Sequence, residues 1–190
     1  SHSKGVMILT AFLREQYEQR QPLSFSATLT FEQSYGMVDG DSASTAELCA
    51  LLSAIAQIPL KQNIAITGAI DQHGNIEGIG GVNEKIEGFF DICNLNGLTG
   101  EQGVIIPRTN IAHLMVNENV RLSVLEGRFH IWVADHVNHV MTLLTGIPMG
   151  KLNTKKQYPA NSVNAAIISR IKQMNKALNT PNGTRASRKR

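Results

Sequence analysis

The second half of the chain changes its hydrophobic period in a fixed rhythm, and this rhythm constrains the fold more than any other feature. Residues 103–106 form a short apolar run ended by Pro107, and 129–134 form another. Around them lie helical patterns: Ile86, Phe89, Phe90 and Cys93 before Gly97, one or two helices over 109–126, and a helix over 136–144 closed by Gly146. Strand, helix and strand in succession call for parallel strands joined by crossover helices.

The first half reads differently. Residues 5–12 are apolar and β-branched enough for a strand, and 13–20 favour a short helix ended near Pro22. Over 24–31, Phe25, Ala27, Leu29 and Phe31 alternate with Ser24, Ser26, Thr28 and Thr30, as in a half-buried strand. A loop over 36–41 leads to a helix over 42–57, in which Leu48, Leu51, Leu52, Ile55 and Ile58 recur at helical spacing until Pro59. A buried strand over 63–70 then turns at 71–75 into 76–79, the two arms of an expected hairpin. The expected class is α+β, with a mixed sheet that is antiparallel in its first half and built of βαβ units in its second.

Charge divides the chain. Residues 1–150 hold 8 Lys/Arg and 15 Asp/Glu, whereas 151–190 hold 10 Lys/Arg and no acid. The expected organisation is a domain over 1–150, a polar linker over 151–160, an amphipathic helix over 161–178 capped by Asn161, and a basic disordered tail over 179–190. Val163, Ala166, Ile167, Ile171, Met174 and Leu178 make the apolar stripe of that helix. The basic segment is suited to nucleic acid or an anionic surface, although a solvated helix and tail is the commoner meaning of such a run.

A hydrophobic content of 42% and a charged content of 17% fit an ordinary globular protein. No apolar run nears the roughly 18 residues of a membrane span, and the opening residues, Ser1-His2-Ser3-Lys4, do not resemble a secretory leader. Lacking an initial Met, the chain reads as part of a longer protein. Cys49 and Cys93 fall in apolar helical patterns and are expected as buried free thiols, in keeping with a cytoplasmic protein.

Two residues stand out chemically. Ser42 joins a loop to a helix start, the usual place of an N-cap. The same place points backbone N–H groups and a helix dipole outward, where they can hold a developing oxyanion. Lys85 follows Gly78, Gly80 and Gly81 and neighbours Ile86, Phe89 and Phe90. Such a lysine ordinarily snorkels to water; were it buried, desolvation would favour the neutral amine, which accepts a proton. Asp135, His136 and His139 do not complete a metal-ligand set, so no metal is expected. There is no phosphate-binding G-x-x-x-x-G-K-[ST] loop, hence no nucleotide cofactor in this domain.

Taken together, Asp39-Gly40-Asp41-Ser42-Ala43-Ser44 and, further on, Ile66-Thr67-Gly68-Ala69-Ile70, Gly74-Asn75-Ile76 and Ile79-Gly80-Gly81-Val82-Asn83-Glu84-Lys85 resemble the catalytic motifs of Lon proteolytic domains, nearest the archaeal-type variant. Val104-Ile105-Ile106-Pro107 resembles the strand that follows, and the likeness runs over about 5–150. The resemblance implies the Lon proteolytic-domain fold, without some of its first strands, and a serine endopeptidase with a Ser42–Lys85 dyad acting on unfolded or damaged proteins. It implies that Thr67 bonds the lysine, that backbone N–H groups of Gly40, Asp41 and Ser42 form the oxyanion site, and that Asp39 and Asp41 support it. The carboxylate of Asp41, paired with Lys85, would hold a latent state. It further implies a hexameric ring in the parent protein and an AAA+ ATPase outside this chain, which would use ATP and Mg. The alternative is a catalytically silent scaffold domain whose basic tail binds nucleic acid.

Overall fold

A computed structural model describes residues 2–18, 22–23 and 41–179. The strand expected over 24–31, most of the loop over 36–41, and the tail from 180 lie outside the described residues.

Helix α1 spans His2–Leu13 and continues as a wider turn over Arg14–Glu18. The strand expected over 5–12 is therefore a helix. A short apolar run has no decisive period, and here Leu9, Phe12, Leu13 and Tyr17 share one buried side while Val6 and Met7 face water. Helix α2, Ser44–Ala56, buries Leu48, Cys49, Leu52 and Ile55, and ends at Gln57 in the left-handed region ahead of Pro59.

The single strand expected over 63–70 is two: β1, Ile64–Ile66, and β2, Ala69–Ile70. The break falls at Thr67 and Gly68. The Gly68 N–H goes to the Ser42 carbonyl at 2.9 Å, and its own carbonyl accepts from the Thr45 N–H at 3.2 Å, so no neighbouring strand receives them. Strand β3, Ile76–Glu77, returns antiparallel to β2 as the hairpin predicted, with Ala69 opposite Glu77 and Ile70 opposite Ile76. The turn works because Asp71 accepts the backbone N–H groups of His73 and Asn75, at 2.8 and 2.9 Å.

Helix α3, Val82–Leu95, leads to β4, Gly103–Pro107. A tight turn over Arg108–His113 and helix α4, Glu118–Leu125, cross to β5, His130–Ala134, and α5 follows over Val137–Thr145. The order β1-β4-β5 is parallel throughout, so the crossover expectation for the second half holds. In place of one mixed sheet, the described residues form a parallel sheet and a separate antiparallel pair.

Central strand β4 is apolar on both faces, as a strand covered twice must be. Ile105 joins the core made with α1, α2 and α5, while Val104 and Ile106 join Val82, Ile86, Phe90 and Phe129 on the other side. Helix α6, Val163–Asn179, lies on α2 and gives Val163, Ile167 and Ile171 to the first core. Its cap is Ser162, whose hydroxyl accepts from the Ala165 N–H at 3.1 Å, rather than Asn161. No helix of the described residues is long and apolar enough to cross a membrane.

Candidate active site

The site lies at the carboxyl end of β1, where open α/β sheets place their ligands. Three segments meet there. The first is the turn over 41–43, which enters α2. Gly68 holds this turn by accepting Thr45 and donating to Ser42, and a side chain at 68 would run into Ile76 Cγ2 at 2.9 Å and Thr45 Oγ1 at 3.2 Å. Glycine fits here because a Cβ would press on those two side chains. The second segment is Thr67, buried, whose N–H still pairs with the Ile105 carbonyl of β4 at 3.1 Å. The third is the first turn of α3, entered through Gly81 at φ 69.

That first turn carries Lys85, whose N–H donates to the Gly81 carbonyl. Its Nζ reaches back to Ser42 Oγ at 3.1 Å and Thr67 Oγ1 at 3.4 Å. Ser42 is half-buried, and Lys85 is exposed. The burial that the sequence reasoning asked of the lysine is therefore absent: the amine is held by two hydroxyls at the rim, not sunk under the apolar face of α3, which Ile86 and Phe90 use instead.

The loop before α3 is fixed by Asn110, a buried side chain that pairs with both backbone groups of Ile79. Its Oδ1 accepts the Ile79 N–H and its Nδ2 donates to the Ile79 carbonyl, each at 2.9 Å. Asn83 spans the same region by donating to the His113 carbonyl and accepting from the Met115 N–H.

The other expected residues separate. The Asp41 carboxylate is exposed, and no ion pair joins it to Lys85 among the described residues. What Asp41 contributes is its carbonyl, which accepts from the Ser44 N–H at 3.0 Å and the Ser44 hydroxyl at 2.7 Å. Asp39 and Gly40 lie outside the described residues. His136 caps α5, its Nδ1 accepting from the Asn138 N–H, while Asp135 faces Arg108 at 3.4 Å. Among the described residues no group of three His, Cys, Asp or Glu could hold a metal. Sequence reasoning missed Ser44, Gly68 and Asn110. Ser44 and Gly68 stood inside the quoted motifs, but their parts depend on which backbone group each one meets.

Cys49 and Cys93 are free and buried. Burial pushes the Cys49 thiol up to about 12 and raises that of Cys93, which disfavours the reactive thiolate in both.

Fold and site define a class: a mixed α/β domain with a serine–lysine pair at the mouth of its parallel sheet. A family model of the Lon protease (S16) C-terminal proteolytic domain matches residues 35–145. The chain belongs to that family, and membership implies a serine peptidase domain. It is 54% identical to a Lon protease homolog of Escherichia coli (strain K12) over 146 residues, covering 77% of this chain and 25% of the relative. A homolog of the same description from Haemophilus influenzae (strain ATCC 51907 / DSM 11121 / KW20 / Rd) is 50% identical over 157 residues, 83% of this chain and 26% of its own length. The archaeal Lon protease of Methanocaldococcus jannaschii is 44% identical over 94 residues, 50% of this chain and 13% of that protein. The chain thus spans about a quarter of the length of the first two relatives and less of the third.

Proposed function

We propose that the domain is a serine endopeptidase in which Ser42 is the nucleophile and Lys85 its base. The observation that carries this reading is the 3.1 Å approach of Lys85 Nζ to Ser42 Oγ across 43 residues of sequence. A hydroxyl needs a base within hydrogen-bond reach, and a neutral amine serves. Ser42 Oγ attacks the scissile carbonyl and passes its proton to Lys85, which returns it to the leaving amine. The Ser42 N–H faces the oxygen that becomes negative. A peptide lying across Ser42 excludes water from the space around the exposed amine. Thr67 holds the amine from the other side.

The substrate is an unfolded or damaged polypeptide, which offers an extended backbone to an open rim. In the longer protein the domain works in a hexameric ring beside an AAA+ ATPase that uses ATP and Mg. Buried free thiols fit a reducing compartment such as the cytoplasm. A Ser42→Ala or Lys85→Ala chain is expected to lose peptide hydrolysis, by about a million-fold if the pair acts as such units do, while keeping its fold by circular dichroism. Full hydrolysis by Ser42→Ala, or no labelling of Ser42 by a serine-reactive probe, removes the reading.

The charge division favours one second reading, a scaffold that touches nucleic acid. Lys151, Lys155, Lys156 and Lys172 are all exposed. Salt-dependent DNA binding that disappears on deleting 179–190, with no labelling of Ser42, would select it.

A further inference from the structure

We propose that Ser44 is a positioning residue that aims the backbone N–H of Ser42 at the reacting carbonyl oxygen; the proposal rests on the Ser42–Lys85 reading above. Ser44 is the first residue of α2 and is buried, only 4% exposed. A serine at a helix start ordinarily caps the helix by accepting an N–H of the next turn. Ser44 does not. Its hydroxyl donates backwards, to the Asp41 carbonyl at 2.7 Å, and accepts from the Ile70 N–H of β2 at 2.9 Å.

The consequence follows from the peptide unit. Asp41 C=O and Ser42 N–H belong to one plane and, in a trans peptide, point in opposite directions; no peptide bond among the described residues is cis. Fixing the carbonyl therefore fixes the N–H. The Asp41 carbonyl is held twice, by the Ser44 N–H and by its hydroxyl. The peptide plane on the other side of Ser42 is held by Gly68, whose N–H donates to the Ser42 carbonyl at 2.9 Å. With both flanking planes pinned, the Ser42 N–H is held pointing opposite to the Asp41 carbonyl and takes no partner among the described residues. A preorganised donor of this kind loses nothing to reorganisation when charge develops.

Ser44 anchors the arrangement to the sheet through Ile70. Its removal frees the Asp41 carbonyl to rock and leaves a buried N–H without a partner. The Lys85–Ser42 contact does not pass through Ser44, so oxyanion stabilisation and proton transfer are separable.

The experiment compares wild type, Ser44→Ala and Ser44→Thr. It measures kcat and KM on a peptide substrate across pH, and the inhibition constant of a peptide aldehyde, whose tetrahedral adduct carries the same oxygen. For Ser44→Ala, kcat should fall about tenfold to a hundredfold. KM and the pH profile should stay in place, and aldehyde affinity should weaken in step with kcat/KM. Ser44→Thr, which keeps the hydroxyl, should recover most of the loss. A purely structural tie would move the melting midpoint and leave kcat and aldehyde affinity of the folded fraction alone, and that outcome overturns the proposal. Should Ser44→Ala fail to fold, Ser44→Cys, with a weaker donor at similar volume, takes its place with the same expectations. Wild-type hydrolysis by Ser42→Ala sinks the dyad reading, and this one with it. A dead Ser42→Ala beside a fully active Ser44→Ala sinks this one alone.

Discussion

Thr67 stands just past the end of β1, and its hydroxyl is the second neighbour of the lysine amine at 3.4 Å. The amine sits at the end of a flexible stem, so two fixed oxygens hold it better than one. Thr67→Val keeps the shape and removes that oxygen. The expected outcome is a fall in kcat of about tenfold, from loosened alignment of the base, with an unchanged melting midpoint because the branched shape is kept. A kcat within twofold of wild type would show that Ser42 alone places the amine. The meeting of Ser42 and Lys85 was legible only through the resemblance, from the order and separation of the two motifs; each residue alone reads as a helix cap or a snorkelling lysine. The exposure of Lys85 was not legible: Ile86, Phe89 and Phe90 suggested an apolar surrounding, but successive helix residues face different ways. Ser44 was hidden for another reason. Which carbonyl a hydroxyl meets depends on the turn, and no spacing rule reports it.

Among the elements, the β2–β3 hairpin was the clearest. Its turn, Asp71-Gln72-His73-Gly74-Asn75, has Gly74 at φ 89, and a side chain there would meet Phe12 Cε2 at 2.7 Å. Burial raises the Asp71 carboxyl, but hydrogen bonds from the Asn75 side chain and backbone and from the His73 backbone, with the charge of His73, outweigh it and hold the group below its ordinary range. A folded value below the unfolded one means that the stabilisation is fully present above the ordinary carboxylate range and is lost as pH falls through the folded value. Wild type should therefore exceed Asp71→Asn in stability at neutral pH, with the difference shrinking on acidification below about pH 4. Denaturant midpoints of both chains at several pH values check this; a difference that grows on acidification would reverse the sign. Elements less well read share one cause. Over 5–12 the apolar run fits either period, and only packing against α2 and the hairpin decides for a helix. The strand over 63–70 is largely apolar, yet Gly68 gives its backbone to the turn that carries Ser42. In both cases long-range partners overrode the local pattern.

At the scale of the molecule, the question is where the domain ends. The family match stops at residue 145, and the fall in acidic residues after 150 suggests a boundary in sequence terms. The core continues beyond it. The Val163 N–H donates to the Pro148 carbonyl and the Asn164 N–H to that of Met149, each at 3.0 Å, so the stretch over 151–162 leaves the body and returns to its own starting point. Asn164, fully buried, donates to the Gly150 carbonyl and accepts the Tyr17 hydroxyl at 2.7 Å, tying α6 to the turn after α1. Val163, Ile167 and Ile171 are then inserted against α2, the helix whose first turn sets the position of Ser42. Burying three such side chains contributes about 1.5–3 kcal/mol each, a large share of the roughly 5–15 kcal/mol that holds a domain together. A chain ending at Gly150 should therefore lose cooperative thermal unfolding and peptidase activity together, whereas one ending at Thr180 should keep both. Ile167→Ala and Ile171→Ala in the full chain should each cost about 2–5 kcal/mol in denaturant unfolding. If the chain ending at Gly150 instead melted cooperatively within a few degrees of the full chain, α6 would be an appendage, and the turn that carries Ser42 would owe it nothing.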